Sequence, residues 1–159
     1  WTQGNVVQAS IGQMDTMVSP LQMAVEAMTI ANCGTRYKTY LIDEIRSYDG
    51  SELVEKTEPE VLSSFSMAES DFQAIMEGMV GVGLNITNPD YALDSLGYRV
   101  AVKTGTPQVT TDTTNSAAIA FAPAEDAEVA VAVMLEEGYG ANRLIRGILE
   151  AWEEEVREP

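Results

Sequence analysis

Three stretches in the second half of the chain have the apolar pattern of buried β-strands. The third alternates Val129, Val131 and Val133 with alanines, and the second is an unbroken run of small apolar residues over 117–122. Strands of this kind are typical of a sheet that is covered on both faces. Residues 123–126, which begin with a proline, supply a turn between the last two strands. The three strands are predicted over residues 98–104, 115–123 and 128–135.

Three other segments carry apolar residues at the spacing of helices. Ser19 and Gln22 form a capping box around Pro20, so the first helix is predicted to begin there. A second capping box over 66–69 precedes the second helix, which is expected to end near the glycines of 81–83. The last helix is expected to cover a face of the sheet. The first and last helices are predicted over residues 20–32 and 142–155.

The segment between the first two helices is predicted to contain a short strand over 40–45 and a hairpin turn at Asp49-Gly50. From Asp49 to Leu96 the ten acidic residues are accompanied by one base, Lys56. Such an imbalance is typical of a solvated surface. The whole pattern predicts an α+β fold in which a three-stranded antiparallel sheet packs with helices.

Composition limits the chemistry that this chain can perform. Its 159 residues are the size of one domain, and 25 acidic against 9 basic residues give a formal charge of −16. That charge repels phosphate backbones, so nucleic acid is excluded as a partner. The chain has no histidine, which removes a Ser-His-Asp triad and histidine-type metal sites, and no metal or other cofactor is predicted. The single cysteine, Cys33, lies in an apolar run and is interpreted as a small core residue.

Lys103 is the one basic residue in the acidic stretch 100–142, and it opens the tetrapeptide Lys103-Thr104-Gly105-Thr106. Hydroxyls two residues apart on a strand lie on the same side, about 6.5–7 Å apart. Gly105 has no side chain, so a ligand backbone can approach closely. A cation, two hydroxyls and a strand edge suit an extended ligand that ends in a carboxylate. The alternative is a strand that runs into a Gly-Thr-Pro turn, with Lys103 merely solvated.

A second set of motifs points to a family. Residues 8–13 read Gln-Ala-Ser-Ile-Gly-Gln, 18–24 read Val-Ser-Pro-Leu-Gln-Met-Ala and 30–34 read Ile-Ala-Asn-Cys-Gly. Together they resemble the Gly-Gln-(x)n-Thr-Pro-Leu-Gln-x-Ala…Ala-Asn-Gly-Gly run of penicillin-binding protein transpeptidase domains, in which Lys-Thr-Gly is a further signature. Ser19 stands where the family usually has threonine, and Cys33 where it usually has glycine. The resemblance covers essentially the whole chain. Among penicillin-binding proteins, the chain looks most like the monofunctional class B type.

The resemblance implies a D,D-transpeptidase that cross-links peptidoglycan stem peptides ending in D-Ala-D-Ala and is acylated by β-lactams. Lys103 and Thr106 are expected to be catalytic: Lys103 supports the proton network electrostatically, and the Thr106 N–H forms half of the oxyanion hole. Thr104, Gly105 and Thr106 are expected to bind substrate, with both hydroxyls on the terminal carboxylate. The family works at the outer face of the bacterial cytoplasmic membrane, where the full-length, membrane-anchored protein is expected.

Two of the family's motifs are absent from the sequence. Neither Ser-x-x-Lys, which carries the nucleophile, nor Ser-x-Asn occurs in the 159 residues, and both precede the Gly-Gln motif in the family. Residues 1–159 are therefore interpreted as the C-terminal part of a single transpeptidase domain, helical over about 1–96. Residues from about 97 onward are expected to supply three strands of the family's five-stranded sheet and the last helix.

This interpretation has consequences for the isolated chain. It is expected to be inactive. It is also expected either to self-associate through the surface that the N-terminal part of its domain covers, or to be found with that part as its partner. Two alternatives stay open. One is a non-catalytic penicillin-binding-like sensor or interaction module, and the other is an unrelated acidic α+β protein.

Overall fold

The computed structural model describes residues 1–12 and 16–157, which form four α-helices, seven strands and a final π-helical turn. The last three strands form one antiparallel sheet, and the first four pair with one another in two short sections. The helices are α1 (Gln3–Ser10), α2 (Pro20–Ala31), α3 (Glu69–Leu84) and α4 (Arg143–Trp152). The strands are β1 (Thr35–Tyr37), β2 (Glu44–Arg46), β3 (Leu53–Lys56), β4 (Val61–Ser64), β5 (Ala101–Gly105), β6 (Ser116–Ala122) and β7 (Val129–Leu135), and the π-helical turn is Glu153–Arg157.

The main sheet has the order β5-β6-β7, and both of its faces are buried. One face packs against α4, whose Leu149 is fully buried. The other face packs against Ala27 of α2 and Val80 of α3. The predicted α+β class with a doubly covered sheet is therefore confirmed, and helices on both sides supply the cover.

The strands of the main sheet lie close to their predicted positions. β6 and β7 begin and end within one residue of the prediction. β5 begins at Ala101 rather than at residue 98, because Ala101 pairs with Phe121 near the end of β6. Residues 98 and 99 consequently lie opposite the turn that follows β6, to which they are joined by the Ala124 N–H, which donates to the Arg99 carbonyl at 2.9 Å.

The start of α2 is the predicted capping box. Ser19 Oγ accepts a hydrogen bond from the Gln22 N–H at 3.2 Å, and Gln22 Oε1 accepts one from the Ser19 N–H at 2.8 Å. Pro20 occupies the first turn, where its missing N–H costs no hydrogen bond. The helix ends at Ala31, one residue before the predicted end.

The predicted start of α3 is wrong. Its N-cap is Ala68, which makes no side-chain cap bond, so the capping box over 66–69 does not form. Glu69 and Asp71 lie in the first turn instead, where their charges stabilise the positive end of the helix dipole.

α3 ends at Leu84, one residue beyond the predicted region, but the glycines do not end it, since the helix continues through residues 81–83. Gly83 lies directly on the main sheet: a Cβ there would be 2.3 Å from the Val100 carbonyl oxygen. Packing at this distance buries Gly83 and outweighs the low helix propensity of glycine. The glycine that was expected to end the helix is what allows the helix to approach the sheet.

Residues 35–64 form a two-stranded ribbon, in which β1 pairs with β4 at the base and β2 with β3 at the tip. The predicted turn at Asp49-Gly50 joins β2 to β3, and Gly50 has the left-handed φ of 74°. The predicted strand over 40–45 is correct only for residues 44 and 45, which belong to β2, because residues 40–43 form an irregular stretch between the two paired sections. Pro59 lies in the opposite stretch and has no N–H to contribute to a ladder.

Cys33 is exposed, which contradicts its interpretation as a core residue. It follows α2 with a left-handed φ of 50°. The Gly34 N–H donates to the Thr29 carbonyl at 2.8 Å, so the chain reverses at the helix end and the cysteine lies on the outside of the turn. The ten acidic residues between positions 49 and 94 are all exposed, as predicted. Within the described residues, no helix combines the length and apolar character needed to cross a bilayer.

Candidate functional site

Residues 103–106, here called the β5 edge, lie at the outer side of the main sheet. β5 pairs with β6, and within residues 1–12 and 16–157 no strand pairs with its other side. Lys103, Thr104 and Thr106 are exposed and Gly105 is half-buried. The structure therefore brings the four predicted residues together on one accessible strip of backbone.

The hydrogen-bond pattern turns the backbone of the two threonines outward. Just beyond β5, the Asn115 N–H donates to the Pro107 carbonyl at 2.9 Å, which continues the β5–β6 ladder in the same register. Hydrogen-bonded pairs alternate along an antiparallel ladder, so every second residue back from position 107 bonds to β6. The N–H and C=O groups of Thr104 and Thr106 consequently face the open side of the strand.

The side chains of the β5 edge divide between the two faces of the sheet. Thr104 lies opposite Ala118 on the face that α4 covers, and Thr106, two residues further, shares that face. Lys103 lies opposite Ile119 on the face of α2 and α3. Its Nζ donates to the Thr104 carbonyl oxygen at 2.5 Å. The ammonium group thus reaches around the strand to the outward-facing backbone.

No feature of the described chain requires a glycine at position 105. Gly105 does not have a left-handed φ, and a Cβ there would contact only the Ala117 Cβ, at the ordinary distance of 3.7 Å. Gly34 differs, because its φ is 90° and a Cβ would lie 2.5 Å from a backbone oxygen. The missing side chain at position 105 therefore leaves space open along the strand instead of relieving a clash inside the chain.

Lys103 and Arg99 lie close together in sequence and differ in their charge partners. Arg99 bridges α3 and the β6–β7 turn, with Glu77 at 3.1 Å and Glu125 closer still. Its bonds to Glu77 and then Glu125 raise the pKa of Arg99, and the same guanidinium lowers the pKa of Glu125. Within the described residues Lys103 makes no ion pair. Arg99 therefore joins two elements of the fold, whereas the charge of Lys103 is not used in an ion pair among the described residues and is available for a ligand.

Two sizeable cavities lie away from the β5 edge. Cavities of about 780 and 500 Å³ flank the base of the ribbon, and Leu21 of α2 and Thr39 line both. The β5 edge is a single exposed wall in the part of the chain that the structure describes. No group of three or more metal-ligating side chains occurs among these residues.

Two residues beside the β5 edge were not predicted to have a role. Asn115 Oδ1 accepts a hydrogen bond from the Glu137 N–H at 3.0 Å. Ser116 Oγ accepts hydrogen bonds from the N–H groups of Gly140 and Ala141 at 3.1 and 3.0 Å. In the sequence they are only two polar residues before an apolar run, a pattern typical of any strand start.

The chain matches a known family over most of its length. A family model described as the penicillin binding protein transpeptidase domain matches residues 1–149. Penicillin-binding protein 2A of Bacillus subtilis is 33% identical in an alignment of 150 residues that covers 86% of this chain and 21% of that protein. Peptidoglycan D,D-transpeptidase PbpA of Mycolicibacterium smegmatis is 35% identical in an alignment of 147 residues that covers 86% of this chain and 29% of that protein.

Solved structures give the same result. An imipenem acyl-enzyme complex of penicillin-binding protein A from M. tuberculosis has a TM-score of 0.76 at 31% identity, over 91% of this chain and 33% of that one. Penicillin-binding protein 2B from Streptococcus pneumoniae has a TM-score of 0.82 over the whole chain at 22% identity, a likeness of fold alone. The chain thus spans between about a fifth and a third of the relatives described here. An unrelated α+β protein is excluded, and the chain belongs to the penicillin-binding protein transpeptidase domain family.

Proposed function

We propose that residues 1–159 are the C-terminal part of a peptidoglycan D,D-transpeptidase domain. Its mainly helical part, which includes the ribbon of residues 35–64, covers about 1–96, and the main sheet and last helix cover about 97–159. The observation that carries the proposal is the outward-facing backbone of Thr104 and Thr106 beside the ammonium of Lys103, which makes no ion pair within residues 1–12 and 16–157. An extended peptide can add to such an edge as a further strand, with its own N–H and C=O groups bonded to the threonines.

The proposed ligand is a stem peptide that ends in D-Ala-D-Ala, or a β-lactam in its place. The hydroxyls of Thr104 and Thr106 bind the terminal carboxylate, and the charge of Lys103 attracts it and supports proton transfer. The Thr106 N–H donates to the oxygen that becomes negative in the tetrahedral intermediate. Gly105 keeps the strand accessible, which accounts for a glycine at a position where the chain itself does not need one.

The nucleophile in this proposal lies on polypeptide that precedes Trp1. A serine of a Ser-x-x-Lys motif attacks the carbonyl of the penultimate D-Ala, the terminal D-Ala leaves as the free amino acid, and an amine of a second stem peptide then takes the acyl group. Support comes from the relative solved as an imipenem acyl-enzyme complex, which is three times the length of the matched segment. The proposed place of action is the outer face of the cytoplasmic membrane, where the peptidoglycan substrate is found.

Covalent labelling with a fluorescent penicillin tests this proposal. The chain alone is compared with the same chain extended by about two hundred residues of its own upstream coding sequence. We expect a label that survives denaturation on the extended polypeptide and none on residues 1–159 alone. Covalent label on the chain alone contradicts the proposed division of the domain. Reversible binding without covalent label on the extended polypeptide favours the non-catalytic sensor instead.

A further inference from the structure

The loop between β7 and α4, residues 136–142, is hydrogen-bonded to Ser116, the first residue of β6, and to Asn115 just before it. Asn115 and Ser116 side chains together accept three backbone hydrogen bonds from this loop, at 3.0, 3.1 and 3.0 Å. These three hydrogen bonds join the loop directly to the start of β6. We call this arrangement the loop clasp.

Ser116 is the only buried polar residue among the described residues, with 7% of its surface exposed. Its Oγ accepts hydrogen bonds from the N–H groups of Gly140 and Ala141. These two residues lie just before α4, where no carbonyl of the helix is available to accept from their N–H groups. A buried N–H that loses its acceptor is costly, so the loop has to move when this hydroxyl is removed. Because α4 follows directly and covers one face of the sheet with Leu149, its start is fixed by Ser116.

Asn115 joins the loop to the strand that carries the β5 edge. Its backbone N–H donates to the Pro107 carbonyl and its side chain accepts from the Glu137 N–H. Glu137 has a φ of 48°, a left-handed conformation that is strained for a residue with a side chain. The bond to Asn115 offsets part of this strain, and the same residue sets the path of the chain just after Thr106.

Ser116 also lies beside a residue of the proposed binding site. Gly105 pairs with Ala117, so the next pair along the ladder is Thr106 with Ser116. This pair falls between hydrogen-bonded pairs, where the Cα atoms are about 4.5 Å apart and the side chains are closest. The side chains of Thr106 and Ser116 are therefore direct cross-strand neighbours on the same face of the sheet.

We infer that Asn115 and Ser116 are positioning residues for the β5 edge. They hold the β7–α4 loop against the end of β6, and this fixes the position of Thr106, whose N–H and hydroxyl face the ligand. The inference rests on the proposed function for its effect on acylation, whereas its effect on the backbone is independent of that function.

Acylation by a fluorescent penicillin and amide hydrogen exchange, both measured on the upstream-extended polypeptide, test the inference. Ser116→Ala is expected to lower the second-order acylation rate at least tenfold and to speed exchange of the Gly105 amide at least tenfold. Ser116→Thr keeps the hydroxyl and is expected to stay within threefold of the unaltered protein. Met79→Ala, in the core on the opposite face, controls for lost stability and is expected to leave both rates within threefold.

The outcomes separate this inference from the proposed function. Unchanged acylation in Ser116→Ala overturns the inference, as does an equal loss in Met79→Ala when both variants remain folded. If the extended polypeptide takes no label at all, the proposed function has failed. In that case the amide hydrogen exchange of Gly105 alone tests the inference. Faster exchange of the Gly105 amide in Ser116→Ala then supports the inference that the loop clasp positions the β5 edge, and unchanged exchange contradicts it.

A second pair of variants repeats the test without altering Ser116. Asn115→Leu removes the side-chain oxygen that accepts from the Glu137 N–H, and Asn115→Asp keeps an oxygen there.

Discussion

At the residue scale, a missing side chain decides how closely α3 approaches the main sheet. Gly83 is buried in the last turn of α3, and its Cα faces the carbonyl of Val100. Gly78, in the same helix, has no neighbour within 4 Å of the position of a Cβ. The two glycines therefore have opposite consequences for stability, although the sequence presents them in the same way.

Substitution of these glycines by alanine is the first prediction. Gly83→Ala is expected to lower the free energy of unfolding by about 1–3 kcal/mol, because the helix must move away from the strand. Gly78→Ala is expected to raise it by about 0.5–1 kcal/mol, because alanine favours the helix and meets no neighbour. Chemical denaturation of both variants checks this pair. A Gly83→Ala protein as stable as the parent contradicts the packing of α3 described here.

Some features of the candidate site can be predicted from the spacing of residues in the sequence, and others cannot. The exposure of Lys103 and the shared face of Thr104 and Thr106 follow from the period of a strand, and both are observed. The outward direction of the threonine backbone depends on which residues bond to β6, and this is set by the contact of Asn115 with Pro107. Such a contact between distant residues leaves no local pattern in the sequence.

At the scale of elements, the tip of the ribbon is stabilised by polar side chains rather than by burial. Asp49 Oδ1 accepts hydrogen bonds from the hydroxyls of Ser47 at 2.6 Å and Ser51 at 2.8 Å, and from the Ser51 N–H at 3.1 Å. These bonds, that of Ser47 first, lower the pKa of Asp49 to about 2. The charged carboxylate is therefore the form that fits the turn.

The second prediction is the titration of this turn. Because the folded pKa lies below the unfolded one, the contribution of Asp49 to stability is complete above about pH 4 and is lost as the pH falls towards 2. NMR of the carboxyl carbon is expected to give a midpoint near 2 in the parent protein. In Ser47→Ala the midpoint is expected to rise towards 3.8. A parent midpoint already at 3.8 shows that the hydrogen bonds do not hold the turn.

Elements were predictable where local signals and burial agree. The α2 cap, β6 and β7 each combine a local signal with a buried apolar pattern, and each is observed within one residue. α1 buries none of its residues and gave no periodic signal, so it was missed. The strands of the ribbon were largely missed for the same reason, since β2, β3 and β4 are exposed throughout.

At the scale of the whole molecule, the described chain leaves apolar surface and strand edges uncovered. Trp1, Ile11 and Met17 are 89%, 75% and 94% exposed, and no strand among the described residues pairs with the outer sides of β5 and β7. Open edges and apolar patches favour association with further polypeptide. The charge of −16 opposes association between copies of the chain.

Self-association of the isolated chain is the third prediction. Sedimentation velocity is expected to show dimers or larger species at high protein concentration. Raising the salt concentration is expected to increase association, because salt screens the repulsion between acidic chains. Addition of the upstream segment is expected to reduce it by covering the same surface. A clean monomer at every protein and salt concentration contradicts this prediction.

The central claim is that the β5 edge binds a carboxylate, and one measurement tests it most directly. Acylation rates of the upstream-extended polypeptide and its Thr104→Val, Thr106→Val double variant are compared with a penicillin and with the methyl ester of the same penicillin. Valine keeps the shape and strand preference of threonine and removes only the hydroxyl. The substitutions are expected to slow acylation by the free acid at least tenfold, since hydrogen bonds to a charged group contribute about 1.5–3 kcal/mol each.

The ester has no charged carboxylate for the hydroxyls to bind, so its acylation rate is expected to change less than threefold in the double variant. This difference between acid and ester is the result that the account predicts. Equal losses for the acid and the ester, or no loss for either, contradict the claim that Thr104 and Thr106 bind the carboxylate.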